Sequence, residues 1–343
     1  MRRRNFLKII IEGFFAVAGF SILPGKVFPW FSTGEEKGLL ILSPGSNRSP
    51  KKGRVILADC TPFLKKDKLP DKKVIFRLLN IGIKRLTEAK KPEDGWASLF
   101  KPSDIVGLKV NTLAGRMLSP HPTLVFAVVE GLKLAGVKEE NIIIWDRTNR
   151  ELERAGYSIN IRGRGVRCFG SDIAGYENEP EVIGSVGGCF STIISRICTA
   201  IINIGVLKDH DLAGISIGMK NFYGVIHNPN KYHDNNCDPY VAHLNNHPYI
   251  KNKLRLTICD GIRAQYNGGP AYKPQWAWNA NVILLSQDPV ALDRIGYELI
   301  ENKRKEMGLP SLRRVSREPK WIKTASELGL GEGEIKKIEV IKV

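Results

Sequence analysis

No C-x-x-C pair occurs anywhere in the 343 residues. The six cysteines (Cys60, Cys168, Cys189, Cys198, Cys237 and Cys259) are scattered, which excludes ferredoxin-type clusters and zinc-ribbon spacing within this chain. An even count permits disulfides, yet Cys198 and Cys259 border apolar runs and read as core. Internal repeats and low-complexity tracts are also missing, so neither a repeat array nor a biased tail is expected. No basic run is interleaved with aromatics, which removes the usual footprint of nucleic-acid binding. The N-terminal apolar run, "IIIEGFFAVAGFSIL", has 15 residues broken by Glu12. A spanning helix needs ~20. Acidic side chains are the scarce charge, 35 Asp and Glu against 52 Lys and Arg, a formal charge of +17.

What is present is an ordinary globular composition, 43% hydrophobic and 25% charged, long enough for one large domain or two smaller ones. The first 26 residues hold Arg2, Arg3, Arg4, Lys8 and Lys26 against Glu12, leaving about +13 on the remainder. With nucleic acid unsupported, that balance suits a solvated basic surface, an anionic substrate or anionic lipid headgroups. The charged start, short apolar run and following Pro24-Gly25 form an export signal or N-terminal anchor over residues 1–32. Arg3-Arg4-Asn5-Phe6-Leu7-Lys8 resembles the twin-arginine pattern R-R-x-F-L-K. It implies the twin-arginine machinery as a partner and a periplasmic location, or anchoring at the outer face of the cytoplasmic membrane. That route carries folded proteins, often with a cofactor already inserted. Residues 33–53 read as a connector and 54–343 as the folded domain.

Within that domain, apolar strands alternate with amphipathic helices. "RVILAD", "DIVGLKVN", "NIIIWD", "AIINIGVL", "KLRLTICD", "NVILLS" and the closing "IKKIEVIKV" read as strands. "KKVIFRLLNIGIKRLTEA" and "HPTLVFAVVEGLKLAGV" read as helices, the second with Leu124, Val128 and Leu132 on one face. "DPVALDRIGYELIENKRKEM" reads as a helix capped by Asp288, and a short helix is expected near "KTASELGL". Strand–helix–strand units of this length predict an α/β fold, a mostly parallel sheet with helices on both faces.

Four polar motifs follow strand ends, where such sheets place their sites. They supply Lys109 and Asn111 with His121 beyond, then Asp146 with Arg147 and Arg150. Next come Lys208, Asp209 and His210, and finally Asp260 with Asn267, Gly268 and Gly269. Lys220 and Asn221 follow the third motif. If these strands are neighbours, lysine, histidine and carboxylate share one pocket, suited to acid–base work or to holding a small anion. His210 is then the expected general base, with Lys208 and Lys220 holding the anion or anchoring a cofactor. The alternative is a non-catalytic metal- or anion-binding protein of the cell envelope. Asp293, one turn inside its helix, is a further candidate for the pocket.

"LKVN…HP…AVVEGLKLAGV…IIIWD", "INIGVLKDHDLAGISIGMKNFYGVIH", "CDGIRAQYNGGP" and "LLSQDPVALDRIG" together resemble the DUF362 family, whose name records no general activity. Some of its members resemble fusions with a ferredoxin module. The cysteines for one are missing here, so no iron–sulfur cluster is expected. A more distant resemblance is to the lactate racemase family, through His210, Gly214, Ser216, Gly218 and Lys220 with His227 and His233 beyond. It implies Lys220 as the anchor of a nickel-pincer nucleotide, His210 as acid or base, and His227 or His233 as a nickel ligand. That family's D-x-T-R motif is replaced by Lys109-Val110-Asn111-Thr112, and its second catalytic histidine by Asp146-Arg147. Racemisation needs a base on each face of the substrate carbon, so that reaction is not implied.

Four of the six histidines, His227, His233, His243 and His247, fall within "HNPNKYHDNNCDPYVAHLNNHP". With Asp238 and Pro239 opening a helix, His243 and His247 stand one turn apart. His227, His233 and His243 are therefore candidate ligands for a divalent metal. An Asn-rich solvated loop is the other reading of this stretch.

Overall fold

The computed structural model describes residues 53–61 and 71–343, so the expected export segment over 1–32 lies outside the described residues. All described residues belong to one compact unit. Strands β1 (Arg54–Asp59), β2 (Val106–Lys109), β3 (Ile142–Trp145) and β4 (Arg167–Cys168) are followed by a separate hairpin of β5 (Glu181–Ile183) and β6 (Val186–Gly188). Next come β7 (Ala200–His210), β8 (Gly214–Ile215), β9 (Leu254–Gln265), β10 (Ala277–Trp278), β11 (Val282–Ser286) and β12 (Glu339–Lys342). The main sheet has the order β12-β1-β11-β9-β7-β2-β3-β4, with β8 on β7 and β10 on β9. Five neighbouring pairs, β12–β1, β9–β7, β7–β2, β2–β3 and β3–β4, are parallel, while β11 runs antiparallel to both of its neighbours. The fold is α/β with a mostly parallel sheet.

Alternation along the strands divides the core between two faces. Leu108, Ile142, Ile144, Ile202 and Ile258 pack on one side beneath α1 (Lys72–Thr87), α2 (Pro92–Leu99) and α3 (Pro122–Leu134). Leu124, Val128 and Leu132 of α3 are fully buried there, as their shared face requires. Ile143, Trp145, Ile201, Leu207 and Leu284 face the other way. They lie under Phe222, α5 (Tyr240–Asn245), α6 (Pro289–Glu306) and α7 (Trp321–Glu327). Helix α4 (Asn149–Ala155) follows β3 and contributes Leu152 to the first face. No helix among the described residues is long and apolar enough to cross a membrane. All six cysteines are free thiols.

Three expectations need correction. The third motif is not a loop, because β7 continues through Lys208 and Asp209 to His210, and β9 likewise runs on through Asp260 to Gln265. Both strands keep pairing partners beyond their apolar stretch, β8 on β7 and β10 on β9. The closing run is only partly strand: Ile335–Lys337 form a 3-10 turn and Glu339–Lys342 pair with β1. Asp238 does not cap a helix. Its carboxylate accepts from Thr324 Oγ1 at 2.6 Å, and Pro239 stands at the cap of α5.

Chain direction across the sheet locates the site. From β2 the chain moves outward through β3 to β4, then returns to β7 on the other side of β2 and moves away through β9. The order therefore reverses between β2 and β7, the place where open α/β sheets open a crevice at the strand C-termini. β2 ends with Lys109 opposite Asn203, and β7 continues to His210 above that edge.

Candidate functional site

A cavity of about 550 Å³ opens at this reversal. Lys109, Asn111, Asp146, Lys208, His210, Lys220, Asn221 and His233 all line it. A cavity of about 870 Å³ elsewhere has walls that include Leu57, Val74, Leu78 and Ile81 and gathers no set of buried polar groups comparable to this one.

Lys109 is the structural centre of the floor. Its Nζ donates to Asp146 Oδ1 at 2.7 Å, to Asn221 Oδ1 at 3.0 Å and to the Val110 carbonyl at 2.6 Å. Asp146 Oδ2 accepts from both the backbone N–H and the hydroxyl of Thr112, each at 2.7 Å. Asn221 in turn donates to Asn203 Oδ1 at 2.7 Å, and Asn203 donates to the Gly218 carbonyl at 2.8 Å. Burial pushes the Lys109 ammonium below its ordinary value, and the Asp146 charge opposes that shift. Its donors are saturated by protein. A side chain at position 224 would lie 2.8 Å from Lys109 Nζ, so the close approach of backbone to this pair requires Gly224.

Lys208 and Lys220 are different. Lys208 is fully buried and, among the described residues, donates only to Asn111 Oδ1, at 3.0 Å. Lys220 is 6% exposed, lies over the Tyr223 ring at 4.1 Å and sits 3.0 Å from His233 Nε2. Neither has a carboxylate within ion-pair distance among the described residues. Burial is the main cause that pushes both down to about 8. Nearby charge then acts on Lys208 in both directions: Asp146 raises its value and Lys220 lowers it. Two buried lysines without ion-paired carboxylates thus face one cavity, an arrangement whose burial cost a bound counter-charge would offset.

His210 shares a strand face with Lys208, two residues apart on β7. Its Nδ1 accepts from the backbone N–H groups of Leu212 and Ala213, at 3.1 and 3.2 Å. That acceptance fixes the neutral tautomer with the proton on Nε2, which has no protein partner among the described residues. Burial, followed by the Lys220 charge, pushes His210 down to about 2. The Nδ1 lone pair is thus occupied by backbone, and in this tautomer the ring turns an N–H toward the cavity. His233 has the opposite tautomer. Its Nδ1 faces the Asn230 carbonyl at 3.1 Å, which leaves Nε2 as acceptor toward Lys220. The rings of His210 and His233 stack at 5.5 Å.

The glycine-rich segment after β8 makes this wall. Any Cβ on Gly205 would fall 1.7 Å from the Ile217 carbonyl, so the chain crosses β7 at backbone contact distance. Asp293 of α6 accepts from the N–H groups of Gly218 and Met219, at 2.7 and 2.9 Å, and so holds the turn that carries Lys220. Asp293 does not line the cavity. Burial drives its carboxyl up to about 7, although both backbone hydrogen bonds oppose that.

Other candidate residues have structural partners. Asp260 accepts from the N–H groups of His121 and Ile262, tying the turn before α3 to β9. Asn267 accepts from Arg304 and Arg317, Gly269 donates to Asp209, and Gly268 occupies a positive-φ turn. None of Asp260, Asn267, Gly268 and Gly269 lines the cavity, although Pro270 does.

The candidate metal ligands are not gathered. His227 is exposed beside Tyr176, His243 accepts from Ser185, and His233 faces Lys220. His247 caps a turn and packs on Phe190 at 4.2 Å. Among the described residues no three His, Cys, Asp or Glu side chains are grouped to hold a metal.

Glu151 is a cavity residue that sequence reasoning missed. Thr148-x-x-Glu151 has the form of a capping box, and Thr148 Oγ1 does accept from Glu151 N. The Glu151 Oε2 atom and the Arg147 Nε atom are nevertheless buried in the cavity wall without hydrogen-bond partners among the described residues. Burial raises the Glu151 carboxyl, and Asp146 adds to it.

A family model described as a domain of unknown function, DUF362, matches residues 106–298. No curated protein matches the chain.

Proposed function

The chain belongs to the DUF362 family, and from that premise we propose that it is an enzyme acting on a small organic anion held between Lys208 and Lys220. The observation that carries this is the pair of buried lysines without carboxylate partners, facing one cavity at the sheet's reversal point. An anion restores the counter-charge that both lack. The His210 Nε2–H is then aimed at substrate oxygen, where a neutral imidazole held in one tautomer stabilises charge as it develops. Lys220, pushed down to about 8 and 3.0 Å from an imidazole acceptor, is the group placed to exchange a proton with substrate. Asp146 acts through Lys109 as a positioning residue.

The test is calorimetric titration with inorganic phosphate and short carboxylates. Wild type is expected to bind, and Lys208→Met and Lys220→Met each to lose at least tenfold. Equal binding by wild type and both variants would overturn the assignment.

The Lys220–His233 contact favours a second reading, in which the lysine anchors a cofactor and His233 Nε2 contributes one metal ligand. The residues fit such a group in part: anchor and one ligand are together, while His227 and His243 stand apart. A bound nickel-bearing group would supply a Lewis acid beside the anion. Protein purified from its native host should then carry stoichiometric metal or a mass adduct on Lys220, and the absence of both would remove this reading alone.

We also propose export by the twin-arginine route, supported by Arg3 to Lys8. Arg3→Lys with Arg4→Lys should leave the protein in the cytoplasmic fraction. Unchanged fractionation would refute it.

A further inference from the structure

We infer that the substrate is an amphiphile, with its anionic group on the lysine floor and an apolar chain leaving between Leu113 and Leu212. This rests on the anion-binding reading above and adds the chemical class of the remainder of the ligand. The cavity is polarised by depth. Lys109, Lys208, His210 and Lys220 are all 6% exposed or less, whereas Leu113 and Leu212 line the same cavity and are each 51% exposed. The deeply buried groups form the floor, and the exposed lining residues form the mouth, where Leu113 and Leu212 stand beside Asp211 and Asn230.

Each leucine is placed there by the strand that carries a lysine. Leu113 follows the end of β2 by way of Asn111, the partner of Lys208. Leu212 lies in the turn between β7 and β8, where its backbone N–H is committed to His210 Nδ1. That bond fixes the backbone while the side chain stays outside the core. Pro229 and Pro270 also line the cavity and present no backbone donor to it.

A cavity of about 550 Å³ is larger than a bare inorganic anion requires and lies within the range of organic-ligand sites. Single exposed leucines are unremarkable on a protein surface. Two that border one cationic cavity give a bound chain an apolar surface to cover, which in turn reduces their own contact with water.

The test is calorimetry of the full chain with a series of n-alkylphosphonates, methyl through octyl, beside inorganic phosphate. Affinity should rise about fourfold per methylene, the step expected for burying one CH₂, until the chain clears the mouth and the gain stops. The Leu113→Ser, Leu212→Ser double variant should flatten that slope, and its binding of methylphosphonate reports that the floor is intact. Chain-length-independent affinity in wild type, with inorganic phosphate bound, overturns the apolar mouth and leaves the anion floor standing. An unaltered slope in the double variant overturns the assignment to these leucines. Failure of every probe to bind, inorganic phosphate included, overturns the floor and this inference with it.

Discussion

At the residue scale the cavity's charged groups sort into those that hold one another and those that lack a carboxylate partner among the described residues. Lys109 and Asp146 are of the first kind, 2.7 Å apart and both buried. Removing one partner of a buried pair strands the other charge, so Asp146→Ala should destabilise the fold by roughly 3–5 kcal/mol. Urea denaturation measures that, and a loss under 1 kcal/mol would refute the pairing as a structural element. Lys208 and Lys220 are of the second kind. Because both fall to about 8 in the folded protein, the unfolded chain holds more protons between about pH 8 and its ordinary lysine value. Their contribution to stability therefore rises with pH across that window, as the penalty for burying charge is relieved. Anion affinity runs the other way: it should weaken as pH rises through about 8. For each lysine that must be protonated, the fall approaches about tenfold per pH unit. Binding of a short carboxylate, fully ionised throughout, followed from about pH 6.5 to 10 decides this, and a flat profile would separate the lysines from the anion.

At the element scale, the strands that carry the site are the ones whose sequence conceals their length. An apolar run marks β7 as far as Leu207, and Lys208, Asp209 and His210 then look like a loop because charge usually ends a buried strand. They remain strand because β8 pairs with Asp209 and His210, and because alternation sends Lys208 and His210 into the cavity. Asp209 points the other way, to Gly269 N and Arg317. The same holds for β9, whose Asp260 is satisfied by backbone N–H groups and never reaches the site. Position after a strand was legible; the face on which a side chain stands was not. Asp293 illustrates a longer-range form of the problem, since a residue of α6 fixes the turn before Lys220 and nothing local announces it. Asp293→Ala removes acceptors from two buried N–H groups, each costing about 1–3 kcal/mol. Hydrogen exchange at Gly218 and Met219 should accelerate selectively and phosphonate affinity should fall. Unchanged exchange there would mean the turn is held by Gly205 packing and Asn203 alone.

At the scale of the whole molecule, the alternating pattern of strands and helices was enough to read the architecture, because each apolar face can be buried only against another layer. The reversal of strand order between β2 and β7 was not, since pairing across long sequence separations leaves no local periodicity. Yet that reversal brings Lys109, Asp146, Lys208 and Lys220 to one place. The overall charge of +17 poses a separate question, whether anions associate with the basic surface or with the cavity. Surface attraction is spread over many lysines, is screened by salt and barely discriminates between folded and unfolded chains. A cavity exists only in the folded state, so an anion bound there stabilises by about 2.7 kcal/mol at a hundredfold excess over its Kd. For a chain of this size, that corresponds to roughly 4 °C in Tm. Thermal unfolding with butylphosphonate in 0.3 M salt should show such a shift in wild type and none in the Lys208→Met, Lys220→Met double variant. If both proteins shift alike, the anion sits on the basic surface, and the two lysines are merely buried.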